Sequence, residues 1–86
     1  MNETINEKVS IITKYDRMSN AVTPVKMRWQ GRDYLFTKLA YHHKARIGRV
    51  VYHIFHVSNG SMDFKLRFDP DTMFWLLEEL TDGTAT

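Results

Sequence analysis

The sequence contains no cysteine, which excludes disulfides, thiolate metal sites and a cysteine nucleophile, and which fits a reducing cytoplasm. It also lacks any apolar run near the ~20 residues a membrane-spanning helix needs. The opening residues, Met1-Asn2-Glu3-Thr4, do not have the basic-then-apolar layout of a secretory leader. A glycine-rich phosphate loop is missing, and Ser58 and Ser61 flank a turn with no nucleophile motif around them. The paired Glu78 and Glu79 alternate faces if their segment is a strand, which suits a solvated edge better than acid–base chemistry. These absences predict a soluble, cytoplasmic chain with no cofactor, no membrane contact, no evident small-molecule substrate and no catalytic activity.

Acidic residues are scarce where basic ones are dense. Residues 24–67 carry nine Lys/Arg against two acids, residues 68–86 carry five acids and no Lys or Arg, and residues 1–23 are balanced at three of each, for a net charge of +2. Eighty-six residues make one domain, which buries about 60–65% of the surface its unfolded chain exposes. With 43% hydrophobic and 13% aromatic residues, the central block has enough apolar material to fold. The ends, residues 1–6 and 82–86, are expected to fray.

Alternation is the main structural signal. Val25-Lys26-Met27-Arg28-Trp29 and Phe64-Lys65-Leu66-Arg67-Phe68 each place three apolar side chains on one face of a strand and two cations on the other. Strands are predicted over residues 8–15, 25–29, 33–43, 49–57 and 63–68. Gly31 supplies a tight turn within residues 29–32, residues 45–48 break the long third strand, and Ser58-Asn59-Gly60-Ser61 closes the next hairpin. The segment after Phe68 has two readings. Asp69 as N-cap and Pro70 at the first turn would start a helix, with Leu76, Leu77 and Leu80 at helical spacing. Alternatively Asp69-Pro70-Asp71-Thr72 is a β-turn that puts Phe68 opposite Met73, Leu66 opposite Trp75 and Phe64 opposite Leu77.

The fold class is therefore all-β, a small antiparallel sheet of five to six strands curled into a barrel or sandwich, or else five strands plus a C-terminal helix from Pro70. If Lys44 lies opposite Arg49, both faces of the third hairpin are apolar. Leu35, Leu39, Tyr41, Val50, Tyr52 and Ile54 share one face, and Tyr34, Phe36, Ala40, Val51, Phe55 and Val57 share the other. Such a hairpin needs cover on both sides.

Four histidines, His42, His43, His53 and His56, invite a metal reading. Adjacent His42 and His43 point to opposite faces, as do His53 and His56, and only His42 and His53 are close enough to share one. No metal site is expected. The cations offer more. Lys26, Arg28, Arg32, Lys65 and Arg67 are candidate contacts to nucleic-acid phosphates, with Lys44, Arg46 and Arg49 at turns and Tyr34, Tyr41 and Phe74 as possible stacking surfaces. If the last segment is a strand, Phe74, Leu76 and Leu80 emerge beside Lys65 and Arg67 as a candidate interface, most simply that of a twofold homodimer.

The order Trp29-Gln-Gly-Arg-Asp-Tyr34, Tyr41-His42-His43, Tyr52-His53-Ile54-Phe55-His56-Val57, Phe64-Lys-Leu-Arg-Phe-Asp69 and Trp75-Leu-Leu-Glu-Glu79 resembles small bacterial proteins of unknown function. These share a Trp-x-Gly-Arg-x-Tyr turn and a final Trp-x-Leu strand, and some are similar to domains found beside DNA-damage polymerases. The resemblance covers roughly residues 22–80 and rests on packing and turn residues. It implies an all-β fold whose last segment is a strand, and is consistent with an accessory role in nucleic-acid binding or repair. The functional expectation is a self-associating, non-enzymatic interaction module, with a nucleic-acid accessory protein as the alternative.

Overall fold

The computed structural model describes residues 2–82. Among them there are seven strands and no helix: β1 (Asn2–Asp16), β2 (Ala21–Trp29), β3 (Arg32–Leu35), β4 (Lys38–Ile47), β5 (Val50–Ser58), β6 (Met62–Phe68) and β7 (Trp75–Asp82). They form one antiparallel sheet in the order β3-β2-β1-β7-β6-β5-β4. Sequential strands pair everywhere except between β3 and β4, so the ladder is not closed into a barrel. The expected five to six strands become seven because the excursion over residues 33–43 is two strands, kinked at Phe36-Thr37 so that β3 stays beside β2 and β4 crosses to β5. Two backbone hydrogen bonds span that seam: Phe36 N–H donates to the Val25 carbonyl at 2.9 Å and Thr37 N–H to the Ser58 carbonyl at 2.8 Å.

β1 makes the sheet fold over. Fifteen extended residues would reach about 50 Å, yet the molecule's longest dimension is 34 Å. The strand bends at two irregularities. One lies between Thr4 and Glu7, where Asn6 adopts φ 53°, and the other between Ile12 and Thr13. Asn tolerates the left-handed region better than most residues, and Pro24 sits where the second irregularity shifts the ladder, a place that tolerates its missing N–H. The first half of β1 pairs with β7 and the second half with β2, so β2 and β3 lie across the inner face of the other strands. Within the segments expected to fray, Asn2, Glu3 and Thr4 pair with β7 and Ile5 packs against the core, while Met1 and residues 83–86 lie outside the described residues.

The core is where the two layers meet. Met27 on β2 packs with Phe55 and Val57 on β5, Phe64 and Leu66 on β6, and Leu77 and Leu80 on β7. Tyr34 on β3 sets its ring edge-on to Phe64 at 5.6 Å, and Phe36 approaches the same ring at 5.4 Å. The Trp29–Arg32 hairpin turn forms as expected, with Gln30 at φ 52° and Gly31 at φ 75°, the pair of positive values that a two-residue hairpin loop requires.

Two registers differ from expectation. The β4–β5 loop is the two residues Gly48-Arg49, so Ile47 faces Val50 and Lys44 faces His53 rather than Arg49. β4 therefore runs through the residues expected to break it. In the last hairpin the strand reading holds and the helix does not form. Asp69 accepts backbone hydrogen bonds from Asp71 and Thr72 on its side chain and from Met73 on its carbonyl, and Met73 turns the chain at φ 65°. That longer loop sets Phe68 opposite Trp75 and Leu66 opposite Leu77, and an extra residue after Leu77 brings Leu80 opposite Phe64.

Candidate functional site

Cross-strand partners share a face of a sheet, so the registers line up rows of side chains across the inner face. One row reads Leu39, Val57, Phe64, Leu80 and the next His42, Phe55, Leu66, Leu77. A third runs from Lys44 on β4 through His53 and Phe68 to Trp75 and Val9 on β1. Met27, Tyr34 and Phe36 cover the first of these rows and part of the second. The third row is left open, and there the inner face forms a groove of about 630 Å³ between His42, His53, Phe68 and Trp75 on one wall and Thr13 and Val22 on the other. Volumes of a few hundred Å³ with aromatic walls and few polar groups suit a bound small molecule. A smaller cavity of about 310 Å³ lies near Lys14, Asp16 and Lys38 and has a more charged lining.

The groove's aromatic walls are packed against one another. Phe68 and Trp75 have ring centroids 4.8 Å apart, Phe55 and Trp75 5.3 Å, and His42 stacks on Phe55 at 4.3 Å with ring planes 5° apart. His42 Nε2 lies 3.2 Å from His53 Nδ1, so one imidazole donates to the other and the pair shares a single proton at that contact. Burial holds the His42 pKa below its ordinary value. Charge at His53, His43 and Lys44 pushes the same way, and no carboxylate opposes them. Among the described residues, no group of three or more His, Asp or Glu is placed to hold a metal ion.

The outer face of the same strands is built differently. The corrected register puts His43 and His56 together as well, with ring centroids 5.6 Å apart and planes at 17°, and Tyr41 stacked on His43 at 4.9 Å. With Lys44 opposite Arg49 these two would lie most of a hairpin apart, whereas the observed register sets His43 opposite Ile54 and His56 opposite Tyr41. Burial lowers the His56 pKa, His43 and Lys65 lower it further, and Glu79 and Glu78 act to raise it. Lys65 Nζ reaches Glu78 at 3.3 Å and Glu79 at 3.6 Å, Arg67 reaches Glu78 at 3.1 Å, and the Arg67 guanidinium lies 4.8 Å from the centre of the Tyr52 ring. Ile54, opposite His43 and Arg67 in its two ladders, is only 3% exposed. Long charged side chains lying along the sheet thus supply the cover that this apolar face needs.

The expected phosphate contacts do not form one stripe. Met27 points inward onto the core from β2 and Phe64 does so from β6, so alternation turns Lys26 and Arg28 outward on one layer and Lys65 and Arg67 outward on the other. Each set already has carboxylates. Lys26 and Arg28 both lie 3.4 Å from Asp33, and Lys65 and Arg67 hold Glu78 and Glu79. Arg32 stands apart at the β2–β3 turn. The expected interface is also reduced. Leu80 is 9% exposed and belongs to the core, because the extra residue in β7 flips it inward; Leu76 is half-buried opposite Arg67; and Phe74, 51% exposed, has Lys8 Nζ 4.0 Å from its ring centre.

Comparison with protein-family models, with curated proteins and with solved structures finds no match to this chain. No described helix is long and apolar enough to cross a membrane.

Proposed function

We propose that the protein is a binding module whose recognition surface is the inner-face groove, taking a small ligand with an apolar body. The observation that carries this reading is the open third row. Val57, Phe64, Leu66, Leu77 and Leu80 on the inner face are buried in the core beneath β2 and β3, whereas His53, Phe68 and Trp75, with Leu39 at the margin, face a space of about 630 Å³. Binding suits this site better than catalysis, because a general acid–base imidazole is normally oriented by a carboxylate or carbonyl, and here the two imidazoles orient each other.

Titration of the labelled chain with the neutral probe octanamide, followed by amide and indole NMR, tests the reading. Saturable shifts are expected at Phe55, Phe68 and the Trp75 indole. The Trp29 indole, which donates to Glu7 Oε1 at 3.1 Å, serves as the internal control. A titration that leaves the groove signals unmoved, or moves both indoles in proportion, contradicts it. An interaction module of this kind is compatible with a self-associating chain. Sedimentation showing a monomer at tens of micromolar would remove the dimer and leave the groove untouched.

A further inference from the structure

The third row of the inner face is graded from end to end. It begins with the ammonium of Lys44, passes to the imidazole of His53, then to the phenyl ring of Phe68 and the indole of Trp75, and ends on Val9. His42 joins the polar end through its 3.2 Å contact with His53, while its ring lies on Phe55 at the apolar side. Lys44 is exposed and stands next to His53 at the groove's edge rather than in its lining. A groove flanked by a cation and imidazoles at one end and walled by stacked rings at the other matches a ligand of the same polarity gradient.

The charge at the polar end is unanswered. Every cation on the outer faces of β2 and β6 has a carboxylate within 3.6 Å. Lys44, and Arg46 beside it on the same face opposite Val51, have no ion-pair partner among the described residues. The described residues that line the groove include no Asp or Glu, and, besides burial, the groups acting on His42 are His53, His43 and Lys44, all of the sign that resists a proton. An anion placed there would gain hydrogen bonds from groups that now lack an acceptor of opposite charge. A cation would be repelled, and a neutral ligand would leave the charge uncompensated.

We infer that the groove takes an amphipathic organic anion, its apolar body against Phe55, Phe68 and Trp75 and its carboxylate or comparable head held by His42, His53 and Lys44. This rests on the groove being the binding surface and adds the chemical class of its ligand. Self-association of β4 with a second copy would not satisfy the same groups, since the strand carries Lys38, Lys44 and Arg46 and no Asp or Glu to offer them.

Calorimetric titration of the full chain with octanoate, octanamide and octylammonium at low salt tests the inference. Octanoate should bind about tenfold or more tightly than octanamide, the ratio expected of a charge-assisted contact, and octylammonium more weakly than either. Lys44→Gln, a change at an exposed side chain that the fold does not need, should bring octanoate close to octanamide and leave octanamide unchanged. Lys26→Gln, on the other layer, should alter neither. Octanoate and octanamide binding equally would overturn the anion while leaving the groove reading intact, and no binding by any of the three would overturn both. Tight octanoate binding that Lys44→Gln does not weaken would show the head group held elsewhere and would overturn the assignment.

Discussion

The two faces of the β4–β5 ladder carry the same motif in opposite company. On the outer face His43 and His56 stack beside Lys65, Glu78 and Glu79, where each charge has a partner and Ile54 is sealed beneath. On the inner face His42 and His53 stack beside Lys44 and an open, aromatic-walled groove with no acid among its described residues. Two pairs of identical residues, one strand apart in each case, are thus a finished surface on one side and an unfinished one on the other. Residue type does not separate them. What separates them is which neighbours the β6 and β7 registers deliver to each face, and the unfinished side is where a ligand gains most.

The largest effects that sharpen this contrast concern packing. Leu66→Ala, at a site with 0% exposure on the inner face, should cost about 4 kcal/mol in urea unfolding, since the two layers fix the cavity it leaves. Ile54→Ala on the outer face should cost about 2 kcal/mol, near the lower end for such truncations, because the flexible side chains above it can settle into the space. Equal losses would mean that the outer cover is as rigid as the core. A loss under about 0.5 kcal/mol would mean that it is no cover at all.

A smaller effect tests the charge network. Glu78→Gln removes the carboxylate shared by Lys65 and Arg67 and should destabilise by about 1 kcal/mol, less in high salt, as befits partly exposed pairs. It should leave octanoate affinity unchanged.

The smallest effects come with pH. His42 and His56 both have folded-state pKa values below the ordinary 6.5, so the folded protein binds fewer protons there than the unfolded chain. Their contribution to stability is complete above pH 6.5 and is lost as the pH falls through the folded-state values. His42 is faced by His53, His43 and Lys44, and His56 by His43, Lys65, Glu79 and Glu78. Melting temperatures recorded across this range should therefore drop on acidification. Glu78→Gln should steepen the drop, because it removes a group that eases His56 protonation, and His56→Asn should abolish that steepening while His42→Asn should not. Ligand affinity should move the other way, rising as the pH falls, because a bound anion favours the imidazolium.

Much of this was readable from residue order. The alternation at Val25–Trp29 and Phe64–Phe68 correctly gave strands with Met27 and Leu66 inward, and Gly31 marked its turn. The strand reading of the last segment followed from its apolar alternation. Registers were less legible, because loop lengths that differ by two residues preserve the faces while shifting every partner. Leu39 in this hairpin also changes face, since the irregularity before Tyr41 moves it from the expected side of Tyr52 and Ile54 to that of Val57. The two-residue Gly48-Arg49 loop, Gly48 at φ 63°, was the available signal for the true β4–β5 pairing, and with it the His43–His56 pair and the Lys44–His53 contact could have been found. Irregularities inside strands were not legible at all. The extra residue near Glu78 that buries Leu80, and the bends of β1 that fold one layer onto the other, depend on packing between segments far apart in sequence. The groove exists only because of that folding, so no local pattern announces it.

The central claim is that the inner histidine pair, and not the outer one, reads an anionic ligand. The most direct measurement follows the imidazole ring signals of all four histidines by NMR during an octanoate titration at pH 6.5 to 7. The account predicts saturable shifts at His42 and His53, accompanied by the Trp75 indole, with His43 and His56 unmoved. Shifts confined to His43 and His56, or shared equally by both pairs, would contradict it.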